Sequence, residues 1–107
     1  MTEKCDVKKL VLLLTIGLCD ALRANVITIN EAEYYLFSPR TMRLMNHDEE
    51  TRDIIHMCTE FENLARLAPK SLDGAIADVI DKAQTALKNS GSCDFESEPW
   101  LYKLLSE

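Results

Sequence analysis

The run Leu10 to Leu22, LVLLLTIGLCDAL, constrains the fold more than any other stretch, because it is apolar around most of a helical circumference. Other segments alternate polar and apolar residues at helical spacing, so each has one face to bury. Asp20 and Arg23 interrupt the run well short of the roughly 20 apolar residues that span a bilayer. The run therefore predicts a buried, central core helix, and Leu13→Asp is expected to prevent folding.

Composition favours a single all-α domain over residues 1–107. The chain has 107 residues with only three Gly and three Pro, which leaves little material for the turns of an all-β fold. We expect a compact irregular bundle of five to six helices around a buried N-terminal helix. The net charge of −6 argues against binding to nucleic acid or anionic membrane and favours a basic protein partner.

The N-terminal lysines and the apolar run imitate a secretory signal, but the details do not fit one. Leu18 before Cys19 is bulky where a lipoprotein cleavage site needs a small residue, and Asp6 lies in the would-be basic region. We therefore expect a cytoplasmic protein without a membrane segment. The four cysteines lie far apart and form no C-x-x-C pair, and Cys19 and Cys58 are expected in the core.

Capping residues divide the chain into helices. Asn25 is a plausible stop for the first helix. Thr28 and Glu31 form a capping box for the second helix, and Ser38 followed by Pro39 opens a short third one. The predicted helices cover residues 2–24, 28–37, 39–45, 48–68 and 71–88, and a short last helix begins at 99.

The acidic excess is concentrated in two segments. Residues 48–68 carry two basic and six acidic side chains, and residues 91–107 carry one and four. On the predicted fourth helix, polar residues at i, i+4, i+7 and i+11 form one line beside the apolar stripe. Two interpretations of this line stay open. It is a solvated face, since the helix macrodipole favours acidic side chains in a first turn, or it is a ridge that binds a partner. The candidate partner-binding residues are Glu49, Asp53, His56, Glu60, Asp94, Glu96 and Glu98.

Catalytic and metal sites find little support. Asp53 and His56 have the spacing of half a carboxylate-bridged di-metal site, but the other half is missing. His47 and Asp48 resemble the motif of HD phosphohydrolases, whose metal site needs more than the two histidines present. Cys58 and His56, at i and i+2, point to different sides of a helix. We therefore predict no enzymatic activity, no cofactor and no metal site.

The alternative function is that of a helix-turn-helix DNA-binding regulator using residues 28–46. Arg40, Thr41 and Arg43 are then available for phosphates or bases. The segment lacks the tight-turn glycine that such motifs often carry, and no basic patch elsewhere supports it. Met42, Leu44 and Met45 are expected to pack inward.

The segment NVITINEAEYYLFSPRTMRLM lies between the aliphatic first helix and the amphipathic fourth one. Together they are similar to a group of short bacterial proteins of unknown function, with the match centred on EAEYYLFSP. By type, as a small acidic helical protein, the chain also resembles the immunity proteins of bacterial toxin systems such as contact-dependent growth inhibition. That resemblance implies a cytosolic antitoxin that neutralises one basic toxin, commonly a nuclease, without chemistry of its own. The protein is expected to be a monomer, or a weak homodimer that forms through Trp100 and Leu104.

Overall fold

The computed structural model describes residues 4–91 and residue 105, and none of these residues lies in a β-strand. The all-α prediction is therefore confirmed. The predicted last helix, which includes Trp100 and Leu104, lies outside the described residues apart from residue 105. Residues 2 and 3 of the predicted first helix lie outside them as well. The helices are α1 (Lys4–Arg23), α2 (Ile29–Tyr35), α3 (Pro39–Leu44), α4 (Glu49–Thr59), α5 (Phe61–Leu67) and α6 (Leu72–Asn89), and a 3-10 turn (Pro69–Ser71) precedes α6.

Local capping chemistry sets the helix ends as predicted. The Glu31 N–H donates to Thr28 Oγ1 at 3.1 Å and the Thr28 N–H donates to the Glu31 carboxylate at 3.2 Å, which is a complete capping box. The Thr41 N–H donates to Ser38 Oγ at the start of α3. Asn25 follows α1 with a left-handed φ of 60°, a conformation that Asn tolerates better than most residues.

The first helix is not the buried centre of the bundle. Leu12 and Cys19 on α1 are fully buried, whereas Leu13 and Leu14 are 57% and 47% exposed. The contacts among the described helices explain this, because α1 packs mainly against α6 and less against α4 and α2, while α6 packs against α1, α4 and α5. The prediction of a central N-terminal helix is therefore wrong, since these neighbours cover one side of α1 and leave an aliphatic strip in solvent. No helix of the described part has both the length and the apolarity needed to cross a membrane.

Six α-helices are described, because the region predicted as the fourth helix is divided into α4 and α5. The helices α1, α4 and α6 are the longest, with 20, 11 and 18 residues.

The predicted single helix over residues 48–68 is wrong, because it is interrupted at Glu60 between α4 and α5. The Thr59 hydroxyl donates to the carbonyl of His56 at 2.6 Å, a side-chain bond to the backbone of the kind that competes with the helix. The Glu60 N–H donates to the carbonyl of Met57, three residues earlier, which tightens the turn. Phe61, the first residue of α5, is fully buried and continues the apolar stripe of Ile54 and Cys58.

The core forms where the apolar faces of α1, α4, α5 and α6 meet, and the predicted apolar stripes supply it. Cys19 and Cys58 are buried free thiols, as expected. Burial, with a smaller effect of the neighbouring Cys19, raises the pKa of the Cys58 thiol, so Cys58 stays protonated. The other buried members of the predicted stripes are Ile54, Phe61, Ile76, Val79 and Ala83.

Asp48 joins the start of α4 to α1. Its carboxylate accepts the N–H of Thr51 at 3.2 Å and lies 3.2 Å from the ammonium of Lys8. Burial by itself raises the pKa of the Asp48 carboxyl, but the Thr51 N–H and Lys8 together lower that pKa below its ordinary value. The negative charge of Asp48 is therefore stabilised by folding.

We expect Asp48→Ala to lower the free energy of unfolding by about 1 to 2 kcal/mol at neutral pH, since it removes the N-cap of α4. Asp48→Asn keeps a capping oxygen and loses only the charge. Because folding lowers the pKa of Asp48, the contribution of the charge is complete above the unfolded-state pKa of about 3.9 and is lost as the pH falls through the folded pKa. In urea unfolding followed by circular dichroism, the gap between wild type and Asp48→Asn should shrink in acid. A gap that is independent of pH would contradict this assignment.

Candidate protein-binding site

A groove of about 450 Å³ between α4 and α6 is the candidate functional site. Its floor consists of Ile54, which is buried, and Met57, which is half-buried. Carboxylates of Glu50, Asp53 and Asp81 line it as well, and all three residues are exposed. The groove therefore combines an apolar floor with an acidic rim.

Helix geometry positions these side chains. Glu50, Asp53, Ile54 and Met57 stand at i, i+3, i+4 and i+7 of α4, so they share one face of that helix. The facing residues of α6 are Asp81, Lys82 and Thr85. Because α4 and α6 pack against each other, their neighbouring edges meet and enclose the groove.

Nearby cations contact two of the three rim acids. Glu50 Oε1 lies 3.5 Å from Lys8 Nζ, and Asp53 Oδ1 lies 3.5 Å from the Arg52 guanidinium. Among the described residues, Asp81 forms no ion pair. Ion pairs at such exposed positions contribute at most about 1 kcal/mol. A partner that brings its own cation therefore loses little by displacing them.

The four described members of the predicted ridge are all exposed, and Asp53 also lines the groove. Glu49 lies 3.8 Å from the Arg52 guanidinium, and Glu60 accepts a hydrogen bond from Asn63. The role of the ridge in partner binding stays a prediction.

The remaining ridge residue, His56, lies in the last turn of α4, which ends at Thr59. The predicted tail acids Asp94, Glu96 and Glu98 lie outside the described residues.

Two groove residues, Glu50 and Asp81, were missed by sequence reasoning. Glu50 lies one turn before Ile54 and so flanks the apolar stripe, a signal that was available. Asp81 follows Ile80 in the same way on α6. No local pattern states that α6 lies beside α4, however, so the meeting of these two acids follows only from the tertiary structure.

The remaining candidates from the sequence are distributed over the surface. No group of three or more His, Cys, Asp or Glu side chains in the described part of the chain is placed to hold a metal ion. Arg40 and Arg43 of the helix-turn-helix segment are exposed, but Thr41, expected to be available for DNA, is buried. Of the three residues expected to pack inward, Met45 is buried and Met42 packs against the core, but Leu44 is exposed. The expectations for Thr41 and Leu44 are therefore wrong, because the face of α3 that is buried holds Thr41 and not Leu44.

The family whose model matches residues 2–102, a range that includes every described helix, is described as "Protein of unknown function (DUF3969)". No curated protein and no solved structure matches the chain. With nearly its whole length covered, the chain belongs to the DUF3969 family.

Proposed function

We propose that this protein is a non-enzymatic protein-binding module whose α4–α6 groove binds a Lys- or Arg-bearing segment of a basic partner. The supporting observation is the apolar floor beneath an acidic rim. Lys and Arg bury their aliphatic stems along apolar surface while the cationic end stays with polar groups. In this groove the stem lies on Ile54 and Met57, and the cation reaches Asp53 or Asp81.

Charge also favours this class of partner. The groove is lined by three acids and one base, Lys82, and the whole chain carries a net charge of −6. A basic partner is therefore attracted before contact, which raises the association rate at low ionic strength. Hydrogen bonds between a cation and a carboxylate are roughly twice as strong as those between neutral groups.

The partner that we propose is a basic bacterial toxin, such as a nuclease, which this protein neutralises as an immunity protein, or antitoxin, in the cytoplasm. A toxin that acts on nucleic acid needs a basic cleft, and an acidic surface without chemistry of its own can occupy that cleft. Specificity for one toxin then comes from matched charges around the groove.

The use of residues 28–46 as a helix-turn-helix DNA-binding segment stays a prediction that we do not adopt. The second helix of that segment, α3, has six residues, which is fewer than two turns. Its residue Thr41 is buried and so is turned away from any bound DNA.

The groove can be tested with an acetylated Arg-Leu-Arg-Leu-Arg peptide titrated into isotopically labelled protein. We expect chemical-shift changes concentrated at residues 50–57 and 81–85. The double variant Asp53→Lys, Asp81→Lys should bind the peptide at least about tenfold more weakly, because repulsion replaces attraction at the rim.

The matched control is Asp73→Lys, Asp78→Lys, which changes the net charge equally at two exposed sites on α6 outside the groove. Peptide binding should change little in this control. If both double variants weaken binding to the same extent, the peptide senses only overall charge and the groove proposal fails.

The toxin proposal needs a separate experiment. The product of the gene immediately upstream is expressed in a heterologous host with and without this protein. Growth should stop without it and recover with it, and the Asp53→Lys, Asp81→Lys variant should fail to restore growth. An upstream product without toxicity, or toxicity that this protein does not relieve, would exclude the immunity function while leaving the peptide result intact.

A further inference from the structure

We propose that a second surface, formed by Tyr34, Tyr35, Arg40 and Arg43 and called here the Tyr/Arg patch, binds an acidic segment of a partner protein. The patch lies at the end of α2 and along α3, on elements that contribute nothing to the α4–α6 groove. It borders a concavity of about 720 Å³. The proposal does not depend on the identity of the groove's partner.

The two tyrosines place a large amphipathic area in solvent. Tyr34 is 86% exposed and Tyr35 is 65% exposed, although both belong to a helix that packs on α1 and α5. Their rings contact each other edge to face, with centroids 5.5 Å apart. Tyrosine supplies contact area with few rotatable bonds and is enriched among the residues that dominate binding energy at protein interfaces.

The two arginines give the patch a positive charge. Arg40 and Arg43 stand at i and i+3 of α3, so they share one face. Neither forms an ion pair with another described residue, whereas Arg23 and Arg52 each contact a carboxylate. In a chain with 18 acidic residues, two neighbouring arginines without such a contact are free to meet a carboxylate from outside.

The backbone that carries the patch is held in place before binding. Ser38 caps α3 and Pro39 fixes φ at its first position, so the connection between the two helices is short and restrained. Such preorganisation lowers the entropy cost of binding.

One acid, Glu33, also lines the concavity. Burial and the neighbouring Glu62 carboxyl raise the pKa of Glu33. Among the described residues Glu33 forms no ion pair with Arg40 or Arg43, so the arginines stay available.

An acidic protein segment fits this surface better than a nucleic acid does. Duplex DNA carries a charge about every 1.7 Å along its axis and is held by many cationic contacts. The patch offers two arginines and no lysine, on a chain with a net charge of −6. A short peptide with a few carboxylates can satisfy both arginines and stack against the tyrosines without approaching the acidic remainder of the protein.

The test measures fluorescence anisotropy of a labelled Asp-Glu-Phe-Asp-Glu-Phe-Asp-Glu peptide mixed with the full chain. Wild type should bind it, with affinity that falls as ionic strength rises. Arg40→Ala, Arg43→Ala should weaken binding at least about tenfold, and Tyr34→Ala, Tyr35→Ala should do so as well. The matched control Arg23→Ala, Arg66→Ala should change the dissociation constant by less than about twofold.

Three outcomes would overturn the proposal. The first is that wild type does not bind the peptide. The second is equal binding of a probe with Asn and Gln in place of Asp and Glu, which would remove the role of charge. The third is tighter binding of a short DNA strand than of the peptide through the same arginines, which would assign the patch to nucleic acid. Circular dichroism of each variant confirms that a loss of binding is not a loss of folding.

Discussion

Leu12→Asp should unfold the protein, whereas Leu13→Asp should leave it folded. The two leucines are adjacent on α1, but Leu12 is fully buried and Leu13 is 57% exposed. A carboxylate placed in the core costs several kcal/mol, which is comparable to the total stability of about 5 to 15 kcal/mol of a small domain. At position 13 the change should cost about 1 kcal/mol or less, mainly through helix propensity. Far-UV circular dichroism and urea unfolding of both variants measure the difference.

This pair tests the placement of α1 directly. A pattern of consecutive leucines does not say which of them faces inward, and the sequence alone made Leu13 a core residue. If Leu13→Asp unfolds the chain as Leu12→Asp does, the strip on α1 is covered in solution. If neither variant unfolds, the buried face of α1 is wrongly assigned.

Phe61→Ala should lower the free energy of unfolding by about 3 to 5 kcal/mol, the range for removing a buried aromatic ring. Phe61 is fully buried and meets Phe37 edge to face, with centroids 5.9 Å apart and an interplanar angle of 84°. The ring holds the first residue of α5 in the core, so its loss leaves a cavity that the short helix cannot easily fill. Urea unfolding at neutral pH gives the change in free energy.

Leu67→Ala is the control for this variant, because Leu67 belongs to the same helix and is exposed. We expect it to change stability by no more than about 0.5 kcal/mol. A double-mutant cycle with Phe37→Ala should give a coupling of about 0.5 to 1.5 kcal/mol between the two rings. Equal costs for Phe61→Ala and Leu67→Ala would show that Phe61 is not in the core.

Interactions between residues close in sequence were predictable. The Thr28 and Glu31 capping box and the Ser38 cap act over three residues, so the sequence states them completely. The interruption at Glu60 was not predictable in this way. A threonine inside a helical pattern either points outward or bonds back to the chain, and no local pattern states that the Thr59 hydroxyl bonds to the carbonyl of His56.

The candidate groove was predictable only in its parts. Asp53 was expected to contact a partner because it flanks an apolar stripe, and it does line the groove. Its companion Asp81 lies on α6, and only the packing of α6 against α4 brings the two helices' acids to one opening. The Tyr/Arg patch shows the same limit, since the sequence marks the arginines but not the exposure of both tyrosines beside them.

The length of the groove limits what a partner can present to it. The α4 edge of the groove runs from Glu50 to Met57, and seven helical steps of 1.5 Å make about 10 Å. An extended chain covers that length in about three residues. A motif of that size recurs by chance in many unrelated proteins, so a partner bound in the groove has to be distinguished by contacts with the surface around it.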